Sequence, residues 1–542
     1  TFRSNSDSEV IVHLFEELGA DAIARLDGMF ALAIWDDRTG TLTLARDRAG
    51  KKPLFVWSKN NRVAFASEIK ALLAHPGIDA QIDDAAIPYY FLHGYVPHPR
   101  TFYRDVSQVE PGTILSFDRD GRRASRRYWQ LTFPPAEAQA QNAPSRAAAA
   151  SRVRELVTAA VERRLMSDVP LGAFLSGGID STIVVGVMSQ VLHEPVRTFS
   201  IGFEGDAAFD ETAIARETAA RFRTEHTEFR VRPSALDLID TLVYHHDGPF
   251  GDSSAIPTYL VSKLTREHVT VALTGDGGDE VFAGYLRFAA ALAADRVPTA
   301  AGSMAGAALG ALPTPRNERH WIARGRRFAR FMQLPLEQRV GAWAGIFYDD
   351  VEQLLQPELL ARVGPVERQH HLCGLRGVTG ASRLSRLLAA NFHSYLHDDL
   401  LVKVDRTSMA TSLETRAPFL DTRLMEYVAG LPDHFKLDGR RTKVILREAF
   451  ADMLPPSVSH GPKKGFGVPL DAWFRQELRD FTRDVLLSAD ARLYSYVSRP
   501  FVTRLIDEQL SGRANHGQRL WSLLTFERWL RLLPSWTSAR AG

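Results

Sequence analysis

Over the first 130 residues the apolar positions come in short runs broken by turn residues. Residues 29–35 are an apolar run, 36–40 a turn cluster and 41–45 an alternation of branched and apolar side chains, which predicts a β-hairpin. Residues 54–57 and 62–66 predict a second strand pair across the polar tip 58–61. Residues 9–18 place apolar side chains at helical spacing, with Ser6 as cap and Glu9 three positions on. Between 134 and 150 the pattern lapses into Ala, Pro and Gln, the composition of a linker or surface excursion. Beyond it, Val153, Leu156, Val157, Ala160, Val161 and Leu165 share one helical face, and strand candidates at 172–175, 196–202 and 269–274 alternate with helices. Such alternation predicts a parallel sheet covered by helices, with its ligand at the carboxyl ends of the strands. From about residue 351 onward helical periodicity dominates, so a helical extension should follow the sheet.

Two glycine-rich strings sit at predicted strand ends. The first, LGAFLSGGIDST at 171–182, runs from an apolar segment through Ser176, Gly177 and Gly178 to Asp180 and Ser181, where a helix would begin. Tight turns with inward N–H groups, backed by a helix N-terminus, hold a phosphate or pyrophosphate. The spacing fits neither the dinucleotide fingerprint nor the Gly-Lys-Ser/Thr ending of the P-loop. The second string, Gly275-Asp276-Gly277-Gly278-Asp279-Glu280, follows the apolar run 270–274. Three carboxylates at a strand end are costly unless a cation or polar ligand meets them. Because Mg²⁺ takes oxygen ligands and shares them with substrate phosphates, Asp180 and Asp279 are expected to face Mg·ATP, with Asp276 and Glu280 in the same site.

Length and composition narrow the class. A chain of 542 residues should form roughly two to four domains. With 45% hydrophobic and 24% charged residues it reads as soluble and globular, and a net charge of +2 gives no argument for a nucleic-acid partner. Residues 297–313, rich in Ala and Gly, fall short of the roughly 20 apolar residues of a membrane span and predict a loose helix or mobile surface segment. The single cysteine, Cys373, excludes an internal disulfide and suits a reducing cytoplasm.

Two later segments add charge. Residues 395–421 interleave Asp398, Asp399, Lys403, Asp405, Arg406, Glu414 and Arg416 with apolar positions, which predicts ion pairs fixing helices under a pocket. KLDGRRTKVILR at 436–447 places Lys443 in a predicted helix with Val444 and Leu446, ahead of Lys463 and Lys464. A lysine aimed at a pentavalent phosphorus centre would supply charge where it develops, and the residue pattern leaves the choice among these three open.

The chain resembles the glutamine-dependent asparagine synthetases through SNSDSEV at 4–10, RLDGMFALAIWD at 25–36, ARDRAGKKPL at 45–54, LSGGIDST at 175–182, TGDGGDEVFAGY at 274–285, LVKVDRTSMATSLETRAPFLD at 401–421 and KKGFG at 463–467. The resemblance implies an α/β multidomain protein. A partial N-terminal-nucleophile hydrolase αββα sandwich over 1–130 would be joined by a linker at 131–150 to a parallel-sheet ATP-pyrophosphatase domain with a helical extension over 151–530. It further implies amidation of aspartate through an acyl-adenylate, with ATP and Mg²⁺ consumed or bound, ammonia delivered from glutamine, and a homodimer. By position, Asp7 would hold the amino group of glutamine, and Ser176, Gly177, Gly178, Asp180 and Ser181 would form the pyrophosphate loop. Asp180 and Asp279 would be the Mg²⁺ ligands, Leu175 and Ile201 would lie beneath and beside the nucleotide, and Gly275 with Asp276 would adjoin the acyl-adenylate. Many bacterial relatives have Glu where Asp276 stands. Lys443 matches the lysine credited with the adenylation transition state.

One departure is at the front. The family's nucleophile is a cysteine directly after the initiator methionine, whereas the sequence starts at Thr1, a point well inside the usual glutaminase domain. The expectation is a preceding segment, because a domain begun mid-fold would expose apolar surface and strand edges; a natural truncation using free ammonia is the alternative. Three rival functions share the motifs: amidation or cyclisation of another carboxylate, a tRNA-modifying ATP pyrophosphatase with the basic stretch 316–330 on the phosphate backbone, and a non-enzymatic descendant. The confined basic patch and near-zero charge weigh against the second, so neither a nucleic acid nor a membrane is expected as partner.

Overall fold

The computed structural model describes residues 2–203, 210–231, 235–297, 304, 306–309, 311, 312, 321–332, 334–369, 372, 375, 378–461 and 467–538. Most of 297–313, Cys373, Lys463 and Lys464 lie outside them. The chain forms two compact units: Thr1–Ile87 with Val96–Leu131 and Leu533–Gly542, and Pro88–Tyr95 with Thr132–Leu532.

In the first unit β1 (Ala31–Asp36) and β2 (Thr41–Arg46) form the expected hairpin, as do β3 (Phe55–Lys59) and β4 (Arg62–Ala66). Adding β5 (Val106–Gln108), β6 (Thr113–Phe117) and β7 (Arg123–Arg127) gives two antiparallel sheets of order β1-β2-β6-β7 and β4-β3-β5. Alternation puts Leu44, Leu115 and Phe117 of one sheet against Val56 of the other in a shared core. The outward side of the larger sheet carries Leu32, Ala45 and Ile114, covered by Ile23 and Ile11 from the helical residues before β1. Two packed antiparallel sheets with helical cover on an outer face agree with the layered sandwich expected of this segment.

Helix Glu9–Leu18 has its expected bounds but a different start. Ser8, not Ser6, is the cap position and makes no side-chain cap bond. Glu9 instead reaches back to accept the Arg3 and Ser4 backbone N–H groups at 2.6 and 2.7 Å.

In the second unit β8 (Leu171–Phe174), β9 (Arg197–Phe203), β10 (Glu225–Val231), β11 (Val271–Leu273) and β12 (Glu414–Arg416) pair in parallel in the order β10-β9-β8-β11-β12. The chain steps outward from β8 through β9 to β10, then returns to the other side of β8 with β11. The crevice between β8 and β11 is therefore the switch point where open parallel sheets bind ligands. Helices Arg146–Leu165, Ile179–Val191, Ala255–Arg266 and Leu401–Met409 are among those of this unit, and the sheet core includes Phe199, Val269, Ala272 and Leu413.

The stretch expected to be a linker is largely helical: Ala136–Gln141 and the start of Arg146–Leu165, whose Ala148 N–H is capped by Ser145 Oγ at 3.2 Å. Gln139 is buried, its Nε2 donating to Ala429 O at 2.9 Å. Alanine, read there as part of a linker composition, is also the strongest helix former. Among the described residues no helix is long and apolar enough to cross a membrane.

Candidate active site

The loop after β8 is fastened by its own hydroxyls. Leu175, buried, donates its N–H to Phe199 O at 2.8 Å and keeps the strand end in register. Ser181 Oγ, in the first turn of helix Ile179–Val191, accepts the Ser176 N–H at 3.2 Å and lies 3.0 Å from Ser176 Oγ. Thr182 Oγ1 donates to Gly178 O at 2.8 Å. These bonds fix residues 176–178 against a helix N-terminus, where backbone donors and the helix dipole favour an anion.

The second loop leaves β11 with Thr274 N–H on Arg416 O at 2.8 Å and turns through Gly277, whose φ of 89° lies in the left-handed region. It meets the first loop in direct contact. A Cβ at Gly275 would stand 2.8 Å from Asp180 Cβ, and one at Gly284 would fall on Asp279 Oδ1 and Lys443 Cε. Glycine at both places lets the loops and the lysine interlock.

Lys443 does not lie in a helix as expected; it is the residue before helix Val444–Ala449, held at φ 53°. Left-handed backbone in a non-glycine residue is uncommon, and it occurs here at the cleft. Lys443 is buried, its Nζ 2.5 Å from Asp279 Oδ1 and also ion-paired to Asp180 Oδ2. Burial alone would lower its pKa, but the two carboxylates more than offset that and hold it above the usual ammonium value. Burial raises the Asp276 carboxyl, with Lys403 acting in the opposite direction. Tyr285 donates its hydroxyl to the buried Glu280 carboxylate.

Both loops line one cleft of about 560 Å³, a size usual for a small-molecule site. Leu175, Ser176, Gly177, Gly178, Asp180, Ser181, Ile201, Gly275, Asp276, Asp279 and Lys443 all border it. Asp7 does not: it belongs to the first unit, in an exposed turn before helix Glu9–Leu18, accepting from Ser8 Oγ at 3.4 Å. Among the described residues no three His, Cys, Asp or Glu side chains cluster as a protein-only metal site. The convergence of Asp180 and Asp279 on a single Nζ is a donor set suited to Mg²⁺, which makes do with one or two carboxylates when phosphates complete its shell.

The cleft also borders on residues the sequence reading passed over: Asp252, Ser254, Tyr395 and Arg447. Lys403 borders it too, although its mixed-charge segment suggested only structural ion pairs. Such pairs do form nearby, Arg406 with Asp247 at 3.0 Å and Asp421 with Arg163 at 2.6 Å. The missed signal was the polar triplet 252–254 placed directly before the apolar helix Ala255–Arg266. Of the basic stretch 316–330, the described part lies in helix Trp321–Phe331, where Arg326 Nε donates to Leu309 O at 2.8 Å.

The asparagine synthase family model matches residues 152–531 and the glutamine amidotransferase domain model residues 1–129. The asparagine synthetase [glutamine-hydrolyzing] 1 of Bacillus subtilis is 31% identical over 535 residues, covering 98% of this chain and 81% of that protein. A putative asparagine synthetase of Mycobacterium tuberculosis is 31% identical over 544 residues, 97% and 80% of the two chains. The amidase chyE of Penicillium rubens is 27% identical over 521 residues, 87% and 74% of the two. With the cleft lying between the two glycine loops and both family models covering the chain almost end to end, the chain belongs to the asparagine synthase family, in which a class II glutamine amidotransferase domain accompanies an ATP-pyrophosphatase domain.

Proposed function

We propose that the protein converts aspartate to asparagine at the expense of ATP, through an acyl-adenylate, with AMP and pyrophosphate as products and glutamine as the source of ammonia. The observation that carries this reading is the interlock of the two glycine loops around Lys443, with Asp180 and Asp279 on the same ammonium. The loop 176–178 would hold the pyrophosphate portion of ATP. Asp180 and Asp279 would hold Mg²⁺, which offsets phosphate charge when bound. The acceptor's carboxylate oxygen attacks the α-phosphorus and pyrophosphate departs. Lys443 then stabilises the added negative charge on the phosphoryl oxygens, a contribution largest in the transition state. Ile201 would lie along the adenine, and ammonia displaces AMP from the acyl carbon. In the first unit, Asp7 would anchor the glutamine amino group.

With aspartate, Mg·ATP and ammonium, the protein should form asparagine, AMP and pyrophosphate in equal amounts. Release of ADP and phosphate would overturn the mechanism. The resemblance to fungal proteins named amidases favours a second reading in which another carboxylate is the acceptor. Adenylation of such a compound with aspartate inert would replace the substrate and keep the chemistry.

A further inference from the structure

Lys443 reaches both loop carboxylates from an unusual backbone position. The short strand Arg441–Thr442, paired with Leu437–Asp438, ends one residue before it, and helix Val444–Ala449 begins one residue after it. Lys443 is therefore the whole joint between the two elements, held at φ 53° and ψ 38°. A side chain in the left-handed region persists only where its surroundings over-determine it. Those two angles set the direction of the Cα–Cβ bond, and with it where the ammonium points. The far end of the stem gives little latitude to correct an error, because it runs against Gly284, where a Cβ would fall on Lys443 Cε.

Arg447 grips that joint from both sides. Its Nε donates to Thr442 O at 2.9 Å, and its backbone N–H donates to Lys443 O at 2.9 Å. These are the carbonyls of the two peptide groups that flank the Lys443 Cα. Peptide groups are rigid planes, so pinning both of them fixes φ and ψ between them. Any residue at position 447 would give the backbone bond as part of the helix. The Nε bond, to a residue outside the helix, needs a long side chain. The other arm of the guanidinium, Nη1, donates to Ser459 O at 2.6 Å in helix Pro456–His460 and so ties the joint to a separate element. A planar fork makes both side-chain bonds at once, which the single ammonium of a lysine reproduces only in part. Burial and the neighbouring Arg441 lower the Arg447 pKa while Asp180 opposes them, so the guanidinium stands in the field of one of the carboxylates that Lys443 binds.

We infer that Arg447 is a positioning residue: by pinning the peptide groups on both sides of Lys443 it aims that lysine's ammonium between Asp180 and Asp279. The consequence for turnover rests on the adenylation reading above, whereas the hold of Arg447 on Lys443 does not. Arg447 also borders the cleft, so a direct contact with a phosphate is the rival role that the test has to separate.

The test reads the lysine directly. Reductive methylation of the full chain with formaldehyde and cyanoborohydride, followed by peptide mass spectrometry, measures how readily each amine reacts. In Arg447→Met, which keeps the stem and removes the side-chain donors, Lys443 should label at least about fivefold faster than in wild type, the weight of one lost hydrogen bond. Lys403, buried and 2.8 Å from Asp252 Oδ2 across the cleft, should label as in wild type and certifies the fold. Pyrophosphate release with Mg·ATP, aspartate and ammonium should fall about tenfold or more in kcat, with the KM for ATP within about twofold, and Arg447→Lys should recover part of the loss. In a Lys443→Ala background Arg447→Met should cost no further turnover, since a residue that works through Lys443 then has nothing to aim. Unchanged labelling of Lys443 overturns the inference, and so does faster labelling of Lys443 and Lys403 alike, which is general loosening. A second full loss of turnover in the Lys443→Ala background overturns it too and puts Arg447 on the phosphates. Faster labelling of Lys443 alone, in a protein whose wild type releases no pyrophosphate, supports the hold of Arg447 while the adenylation reading falls.

Discussion

Lys443 shares one ammonium between two carboxylates, so its replacement and theirs should fail differently. In Lys443→Ala the loss falls on charge developing at phosphorus, and turnover should drop by roughly 10²-fold, about 2.7 kcal/mol, with Mg·ATP affinity little changed. Asp180→Asn or Asp279→Asn removes charge that offsets Mg²⁺, so affinity should weaken along with turnover. Calorimetry with pyrophosphate release separates these outcomes. If Lys443→Ala loses affinity but keeps turnover at saturating ATP, the lysine is a ground-state anchor. Another lysine, Lys436, gives a pH signature instead. It is fully buried, its Nζ on Leu431 O at 2.6 Å, and burial lowers its pKa to about 8, only partly countered by Asp433. Between pH 8 and 10.5 the unfolded chain holds this proton and the folded chain sheds it, so folding is favoured as pH rises across that window. Wild type should gain melting temperature relative to Lys436→Met from pH 8 to 10.5, and equal slopes for the two would contradict the burial argument.

At the scale of elements, the two glycine loops cohere only while nothing projects between them. Gly284→Ala would press on Asp279 and Lys443 together. It should cut pyrophosphate release at least about tenfold with a small change in melting temperature, since the strain falls on the site rather than on the sheet. An unchanged rate would mean that the lysine tolerates displacement. The loops were legible because Gly-Gly and clustered carboxylates are anomalous at a strand end, and the strands feeding them because β8, β9 and β11 are buried apolar runs. Edge strand β10 reads EHTEFRV, half-buried and charged, and gives no such signal. Strand β12 is three residues, ETR, whose extended form comes from pairing with β11 far away in the chain. Lys443 shows the same limit: its neighbours have helical periodicity, but the turn Leu437–Asp438/Arg441–Thr442 before it sets the backbone, and only tertiary contacts with Asp180 and Asp279 reveal why. The Lys403–Asp252 pair joins residues far apart in sequence, so the mixed-charge segment marked Lys403 for an ion pair without saying what it faces.

For the whole molecule, the compact unit around the cleft is larger than the segment matched by the asparagine synthase model, because it takes in residues 88–95 and 132–151 as well as 152–531. Helix Ile87–His93 inserts Phe91, fully buried, against Phe526 and Phe347 with ring centroids 5.0 and 5.8 Å apart, while the Tyr90 hydroxyl donates to Ser522 O at 2.8 Å. The chain leaving that helix then reaches the cleft wall: Gly94 O accepts the Gly251 N–H at 2.7 Å, one residue from Asp252, and a Cβ on Gly251 would stand 2.5 Å from Gly94 Cα. Phe91→Ala should therefore do two things. Emptying an aromatic site in the core should cost about 3–5 kcal/mol, seen as a lower melting temperature. Loosening Gly94 against Gly251 should also let Asp252 shift at the cleft wall, so below the melting transition the KM for the acceptor should rise more than the KM for ATP, which the loops after β8 and β11 would hold. Tyr90→Phe, which removes the hydroxyl's bonds to Ser522 O and Thr525 Oγ1 and keeps the packing, should cost only about 1–2 kcal/mol and leave both KM values in place. If Phe91→Ala instead raises the two KM values together, the cleft moves as one block and its wall at Asp252 has no independent tie to the aromatic core.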